Sequence, residues 1–383
     1  MKFHHPRHTP DSSGTLHQWD NETANCGMGA IANLRGEKSY DILDYALTSV
    51  CNMTHRGAVD ADMKTGDGSG ILCQIPRPLF AKAAKEFGYT GESTDLGVGV
   101  FFLPEGVAAN IKSFTESVLT RRNIQFVGWR EVPVNPDELG NLARLTQPEI
   151  THLLVSRPAD VDSDHFERLL YLVRREIERE FKDEAVFYIP TLSSRLISYK
   201  GLAMPATLRA FYSDLQDSDF QTGISLYHQR FSTNTFPAWP LGQPFRMMCH
   251  NGEINTVRGN RNWMRSREEF FSSELWGNDI ELVKNLMDDD ESDSASLDHA
   301  LELLVLSGRR LEHAMRMLVP PAFRHDPDIT EEERAFYNYI RSFSEPWDGP
   351  AGLCFTDGRT LCASLDRNGL RPSRFTLTED GLL

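Results

Sequence analysis

Apolar residues recur at helical spacing through SYDILDYALTSVCNM (39–53), at Ile42, Leu43, Tyr45, Ala46, Leu47, Val50 and Met53, and predict a helix. HFERLLYLVRREIEREF (165–181) predicts a second, strongly periodic one, and a third runs from about Gly106 to Thr120. Short apolar runs predict strands at GMGAIANL (27–34, before a turn at Arg35–Gly36), ILCQI (71–75), LGVGVFFL (96–103), FVGWREVPV (126–134), VFYIPTLSS (186–194), GISLYHQRF (223–231) and FRMMCH (245–250). SASLDHALELLVLSG (294–308) reads as a helix with Asp293 and Ser294 as N-cap oxygens and Gly308 as C-cap. A further helix at 309–318 precedes Pro320–Pro321. The end alternates short strands, with Asn368–Gly369 as a two-residue hairpin turn. Many antiparallel strands with helices outside predict an α+β fold of sheets sandwiched by helices.

The 383 residues suffice for one large domain or two ordinary ones, and the composition is that of a soluble globular protein, 40% hydrophobic and 25% charged. The formal charge of −15 makes nucleic acid and anionic membranes poor partners. No apolar run approaches the ~18 residues of a membrane-spanning helix. Residues 1–25 are polar, with two prolines and no apolar signal core, so they are expected to be mobile or removable and the protein cytoplasmic. Six cysteines form no CxxC pair and match no zinc spacing. Most have apolar neighbours and read as small buried hydrophobes. Cys26 differs, standing between Asn25 and Gly27.

A cysteine that hydrolyses an amide needs a base, oxyanion donors and charges that orient the substrate. Cleavage before Cys26 would give it an α-amine with an ordinary pKa of about 8, able to take the thiol proton. Gly27 and Gly29 would let backbone and substrate come close. The plainer alternative is a strand start with an unreactive thiol. In HNGEIN (250–255), the Asn251 amide and the Gly252 N–H could donate to one oxyanion, each such donor being worth ~3 kcal/mol. A common Asn-Gly turn is the alternative. Arg230 suits a bidentate carboxylate contact or a surface ion pair. DDDESDSASLD (288–298) fails as a calcium loop, with Asp293 where glycine and His299 where glutamate would stand. It is either a solvated acidic loop or a place where Asp293, at a helix start, binds an ammonium group. GDGSG (66–70) lacks a phosphate-loop pattern and reads better as a tight turn near a substrate, with Arg56 nearby.

Together, CGMGAIANLRG, HRGAVDADMKTGDGSGILCQIP, HQRFSTNTFPAWPLGQPFRMMCHNGEINTVRGNRNW, SDSASLDHALELL, EPWDGPAG and LDRNGLRPSRF resemble the class II glutamine amidotransferase domain of glutamate synthase large chains, from about Cys26 to the end. The resemblance implies an N-terminal nucleophile hydrolase fold, a four-layer αββα sandwich of two mainly antiparallel sheets. It implies a propeptide at 1–25 and one amidotransferase domain at 26–383. Cys26 would be the nucleophile and its amine the base. Asn251 and Gly252 would form the oxyanion hole, Arg230 would hold the α-carboxylate of L-glutamine, Asp293 its α-ammonium, and Arg56 would line the site. Ammonia would pass to a synthase site that aminates 2-oxoglutarate, using FMN and an iron–sulfur cluster and a small electron-donating subunit. No cofactor is expected in this chain itself, because the regions that would bind FMN and the cluster are absent. The chain is therefore expected to be an N-terminal fragment or a separately encoded subunit.

Three other functions fit parts of the pattern. One is an N-terminal nucleophile hydrolase of another amide, opposed by Arg230 and Asp293, which together read a free amino acid. Another is a non-catalytic domain that binds glutamine or a partner subunit. The last is a papain-like enzyme with His228 or His250 as base.

Overall fold

The computed structural model describes residues 27–57, 62, 64–184, 186–229 and 238–383. MGAIA, whose small residues suit close sheet packing, forms β1 (Met28–Ala32), and the periodic stretch after it forms α1 (Tyr40–Asn52). There follow β2 (Ser69–Gln74), α2 (Arg77–Glu86), β3 (Leu96–Leu103), α3 (Ala108–Arg121) and β4 (Gln125–Glu131). A short helix, α4 (Asn141–Leu145), leads into β5 (Glu149–Ser156). Next is α5 (Ser163–Glu180), which starts early because Asp162 caps it, accepting from the N–H groups of Asp164 and His165. The middle holds β6 (Tyr188–Ser193), β7 (Leu196–Gly201), α6 (Pro205–Phe211), β8 (Ile224–Gln229), β9 (Met248–Gly252) and α7 (Val257–Arg267). The chain continues through α8 (Asp293–Leu306), α9 (Leu311–Leu318), α10 (Glu331–Ile340), β10 (Ala351–Thr356) and β11 (Leu361–Leu365).

Three antiparallel sheets result, ordered β1-β8-β2-β7, β11-β10-β9 and β4-β5-β3-β6. The first two face each other. Leu72, Ile224 and Leu226 meet Cys249 and Cys354 between them, with Met28 and Ala30 against the same core. The opposite face of the first sheet packs Ile71, Cys73 and Tyr199 against Leu43 and Leu47 of α1 and Phe80 of α2. The outer face of the second packs Met248, Leu353 and Phe355 against Leu297 and Leu301 of α8. The order is helix, sheet, sheet, helix, as the resemblance implies. Such layering buries both faces of each sheet.

The third sheet was not foreseen. In β3 the alternation is clean: Val98, Val100 and Phe102 join the first core, whereas Phe101 and Leu103 face α3 and α5. Its central partner β5 and the strand β7 were missing from the sequence reading, because buried polar residues interrupt their apolar runs, Thr151 and His152 in β5 and Ser198 and Lys200 in β7. Two further expectations need correction. The N-cap of α8 is Ser292, whose side chain accepts from the Ala295 N–H, and Asp293 is the first helical residue. Asn368–Gly369 joins no hairpin. Asp366 gathers the N–H groups of Asn368, Leu370 and Arg371 into a turn, and no strand follows it. The hairpin of β10 and β11 closes instead at Asp357–Gly358, where Asp357 accepts from the N–H groups of Arg359 and Thr360. Gly308 does end α8. With φ +90°, it forms a Schellman turn, the Arg309 N–H reaching Leu304 and the Gly308 N–H reaching Val305.

Candidate active site

The ends of β1, β8 and β9 and the start of α8 converge at one edge of the two facing sheets. Met28 pairs with His228, and the Gln229 N–H donates to the Gly27 carbonyl at 2.6 Å. A side chain at Gly27 would run into the Gln229 carbonyl oxygen, so this glycine permits the close approach expected of it. Gln229 also donates through Nε2 to the Thr54 carbonyl, 3.1 Å away. That bond ties the end of β8 to the short turn Thr54–Arg56. Cys26, Arg230 and the Arg56 side chain, expected as nucleophile, carboxylate clamp and site-lining cation, lie outside the described residues. So does the segment 1–25, expected as a propeptide.

The register of β9 fixes what its last residues present. Asn251 pairs with Gly352 and Gly252 with Ala351. The Glu253 N–H donates to the Pro350 carbonyl and the Thr356 N–H to the Met247 carbonyl. These bonds make the odd-numbered residues of β9 the bonded ones, so His250 and Gly252 turn their backbone groups to the outer edge. Gly252 therefore presents its N–H at a sheet edge that no described strand covers. Its φ of +134° favours glycine, and a Cβ there would strike the Pro350 carbonyl oxygen. Asn251 shares its face with Cys249, whose Sγ lies 4.0 Å from Met28 Sδ. Asn251 and Gly252, expected as the donor pair, thus sit near the start of β1.

Asp293 joins them. Its Oδ2 accepts the Ile254 N–H at 2.6 Å and its Oδ1 the Ser294 N–H at 2.7 Å. Each carboxylate oxygen keeps lone-pair capacity beyond these bonds. Arg261 on α7 holds the preceding loop, donating to the carbonyls of Asp289 and Glu291 and to Ser296 Oγ. Asp288, Asp289 and Asp290 are exposed, so that part of the acidic loop is solvated as its plainer reading says. At the other end of β9, Asp298 accepts the N–H groups of Arg246, Met247 and Met248 at 3.0, 2.9 and 3.0 Å. Helix α8 thus grips β9 and its continuation from both sides of the Asn251–Gly252 pair. Sequence reasoning passed over Asp298, although an acidic residue inside the apolar run of SASLDHALELL was a signal.

Neither histidine is set as a base. His228 is buried, its Nε2 donates to the His250 carbonyl, and burial pushes its pKa down to about 3. Burial also lowers the pKa of His250, with Asp293 opposing and Arg371 adding to the effect. Beyond Cys26, burial pushes the thiol of Cys73 up to about 12 and that of Cys362 to about 11, and raises that of Cys51. These three are poor nucleophiles at neutral pH. No group of three or more His, Cys, Asp or Glu among the described residues is placed to hold a metal ion. No helix among them is long and apolar enough to cross a membrane.

Comparison with known proteins agrees with this geometry. Residues 26–383 match the family model of class-II glutamine amidotransferases. The chain is 43% identical over 380 residues to a ferredoxin-dependent glutamate synthase of Pyropia yezoensis, covering 97% of this chain and 25% of that one. It is 42% identical over 359 residues to the NADPH glutamate synthase large chain of Bacillus subtilis, covering 93% and 24%. The NADPH glutamate synthase large chain of Azospirillum brasilense is also 42% identical, over 363 residues, covering 94% and 24%. The chain thus spans about a quarter of the length of these relatives. On the match across residues 26–383, the chain belongs to the class-II glutamine amidotransferases.

Proposed function

We propose that the chain hydrolyses L-glutamine to glutamate and ammonia through a γ-glutamyl thioester on Cys26. Removal of residues 1–25 gives Cys26 an α-amine, which takes the thiol proton. The thiolate attacks the side-chain amide carbonyl, and the Asn251 amide and Gly252 N–H hold the oxyanion. The collapsing intermediate releases ammonia, which leaves with the proton. Water then attacks the thioester, freeing glutamate and the thiol. Arg230 pairs with the α-carboxylate and Asp293 with the α-ammonium, and Arg56 lines the site. The observation that carries this reading is the Gly252 N–H on the edge of β9 that no described strand covers, with Asn251 on the Cys249 face of the strand and the Ile254 N–H, two residues beyond, held by Asp293. The start of the family match at Cys26 supports the maturation step.

The relatives, all glutamate synthases, support a destination for the ammonia. In this reading it passes to a synthase site that aminates 2-oxoglutarate. FMN, an iron–sulfur cluster and a small electron-donating subunit serve that site, in a cytoplasmic enzyme. The test is to assay the chain beginning at Cys26 with glutamine. Ammonia and glutamate should appear in equal amounts, and Cys26→Ala should abolish both. Undiminished release by Cys26→Ala would overturn the reading.

A further inference from the structure

Among the described residues β9 is the outer strand of its sheet, and its His250 has no neighbouring strand on that edge. Two side chains stand in for one. Gln243 Oε1 accepts the His250 N–H at 2.8 Å, and His228 Nε2 lies 3.1 Å from the His250 carbonyl. A carbonyl only accepts, so Nε2 carries the ring proton. His228 Nδ1 finds no hydrogen-bond partner among the described residues. The bond to His250 is therefore the polar anchor of a ring that is only 4% exposed. It also crosses between sheets. His228 belongs to β8, paired with β1 at Met28, whereas His250 belongs to β9. Around this bond the facing sheets meet through apolar residues and a weak contact of Cys249 Sγ with the Tyr227 carbonyl at 3.8 Å. The next backbone group along the same edge, ~6.8 Å on, is that of Gly252.

We infer that His228 is a positioning residue for the oxyanion donors. Through the His250 carbonyl it sets the strand carrying Asn251 and Gly252 against the sheet of β1, the strand that follows Cys26 in the sequence. It touches no reacting atom and takes no proton. This rests on the glutaminase reading and deepens it.

His228→Leu removes the donor, and His228→Gln returns one. In His228→Leu, kcat should fall about 30-fold, part of the 100- to 1,000-fold lost with a whole oxyanion donor. KM for glutamine should stay within about threefold, since the α-groups are held elsewhere. Affinity for the γ-aldehyde analogue of glutamine, whose thiohemiacetal oxygen needs the same donors, should fall in parallel with kcat. Inhibition by L-norvaline, which has the α-groups but no side-chain carbonyl, should not change. His228→Gln should recover most of the loss, which a merely space-filling role would not require. Should His228→Leu fail to fold, Gln243→Leu removes the acceptor on the other side of the same residue and should show the same split. An unchanged kcat in a folded variant would overturn the inference, as would equal losses of aldehyde and norvaline affinity. A wild-type chain that releases no ammonia would instead overturn the glutaminase reading beneath it.

Discussion

At the scale of the residue, the site was legible where chemistry and backbone geometry coincide. Gly252 was read as an oxyanion donor, and it is also a position where its φ of +134° and the Pro350 carbonyl leave no room for a side chain. Gly252→Ala should therefore lose more than a donor's aim. We expect a destabilisation of roughly 1–3 kcal/mol, together with loss of glutaminase activity, readable from a urea midpoint and an ammonia assay. Asp293 was legible as an acid at a helix start, but its support was not. Ile254 and Arg261 hold it in place, across separations that leave no local trace. Asp293→Asn keeps an acceptor for the Ile254 N–H while removing the charge. We expect about 10- to 100-fold lower kcat/KM for glutamine, mostly in KM, with the melting temperature nearly unchanged. A large stability loss with an unaltered KM would assign Asp293 to the fold alone.

At the scale of the element, α1, α3 and α5 were located to within a few residues because each buries one apolar stripe, whereas α8, buried almost all round in its first turns, was located by its end residues. Apolar runs revealed β2 and β3, but β5 and β7 escaped notice because Thr151, His152, Ser198 and Lys200 are buried polar residues within them. The Asn368–Gly369 turn misled for a related reason. Turn chemistry is local, but a hairpin needs a second strand, and here Asp366 takes up the N–H groups that such a strand would pair. Helix α8 links element to site. Asp298→Asn would set an amide N–H₂ against one of the three N–H groups that the carboxylate now accepts. We expect about 2 kcal/mol of lost stability, with a fall in kcat as β9 loosens. Gly308→Ala, at the other end of the helix, should cost about 1 kcal/mol and leave activity alone.

At the scale of the whole molecule, layering was legible and strand order was not. Alternation says which face of β1 is inward, but nothing near Met28 announces that it pairs with His228. The buried titratable groups make stability depend on pH. Burial lowers the pKa of His152, His228, His250 and His299. Below their ordinary value of about 6.5 the unfolded chain binds protons that the folded one refuses, so their contribution is lost as pH falls. Asp298 and Glu291, pushed by burial up to about 6 and about 7, work in the opposite sense, favouring the fold as pH falls through those values. Four groups against two leave a net loss between pH 7 and pH 5, each unmatched proton being worth about 1.4 kcal/mol per pH unit. Urea midpoints at the two pH values check this, and a higher midpoint at pH 5 would contradict it. Whether a processed Cys26 attacks glutamine is read by mass spectrometry after treatment with a diazo-ketone analogue of glutamine. A chain that begins at Cys26 should carry one adduct on that residue, with Cys73 and Cys362 unlabelled. A chain beginning at Cys26 that takes no adduct, or takes it on another cysteine, would contradict the account.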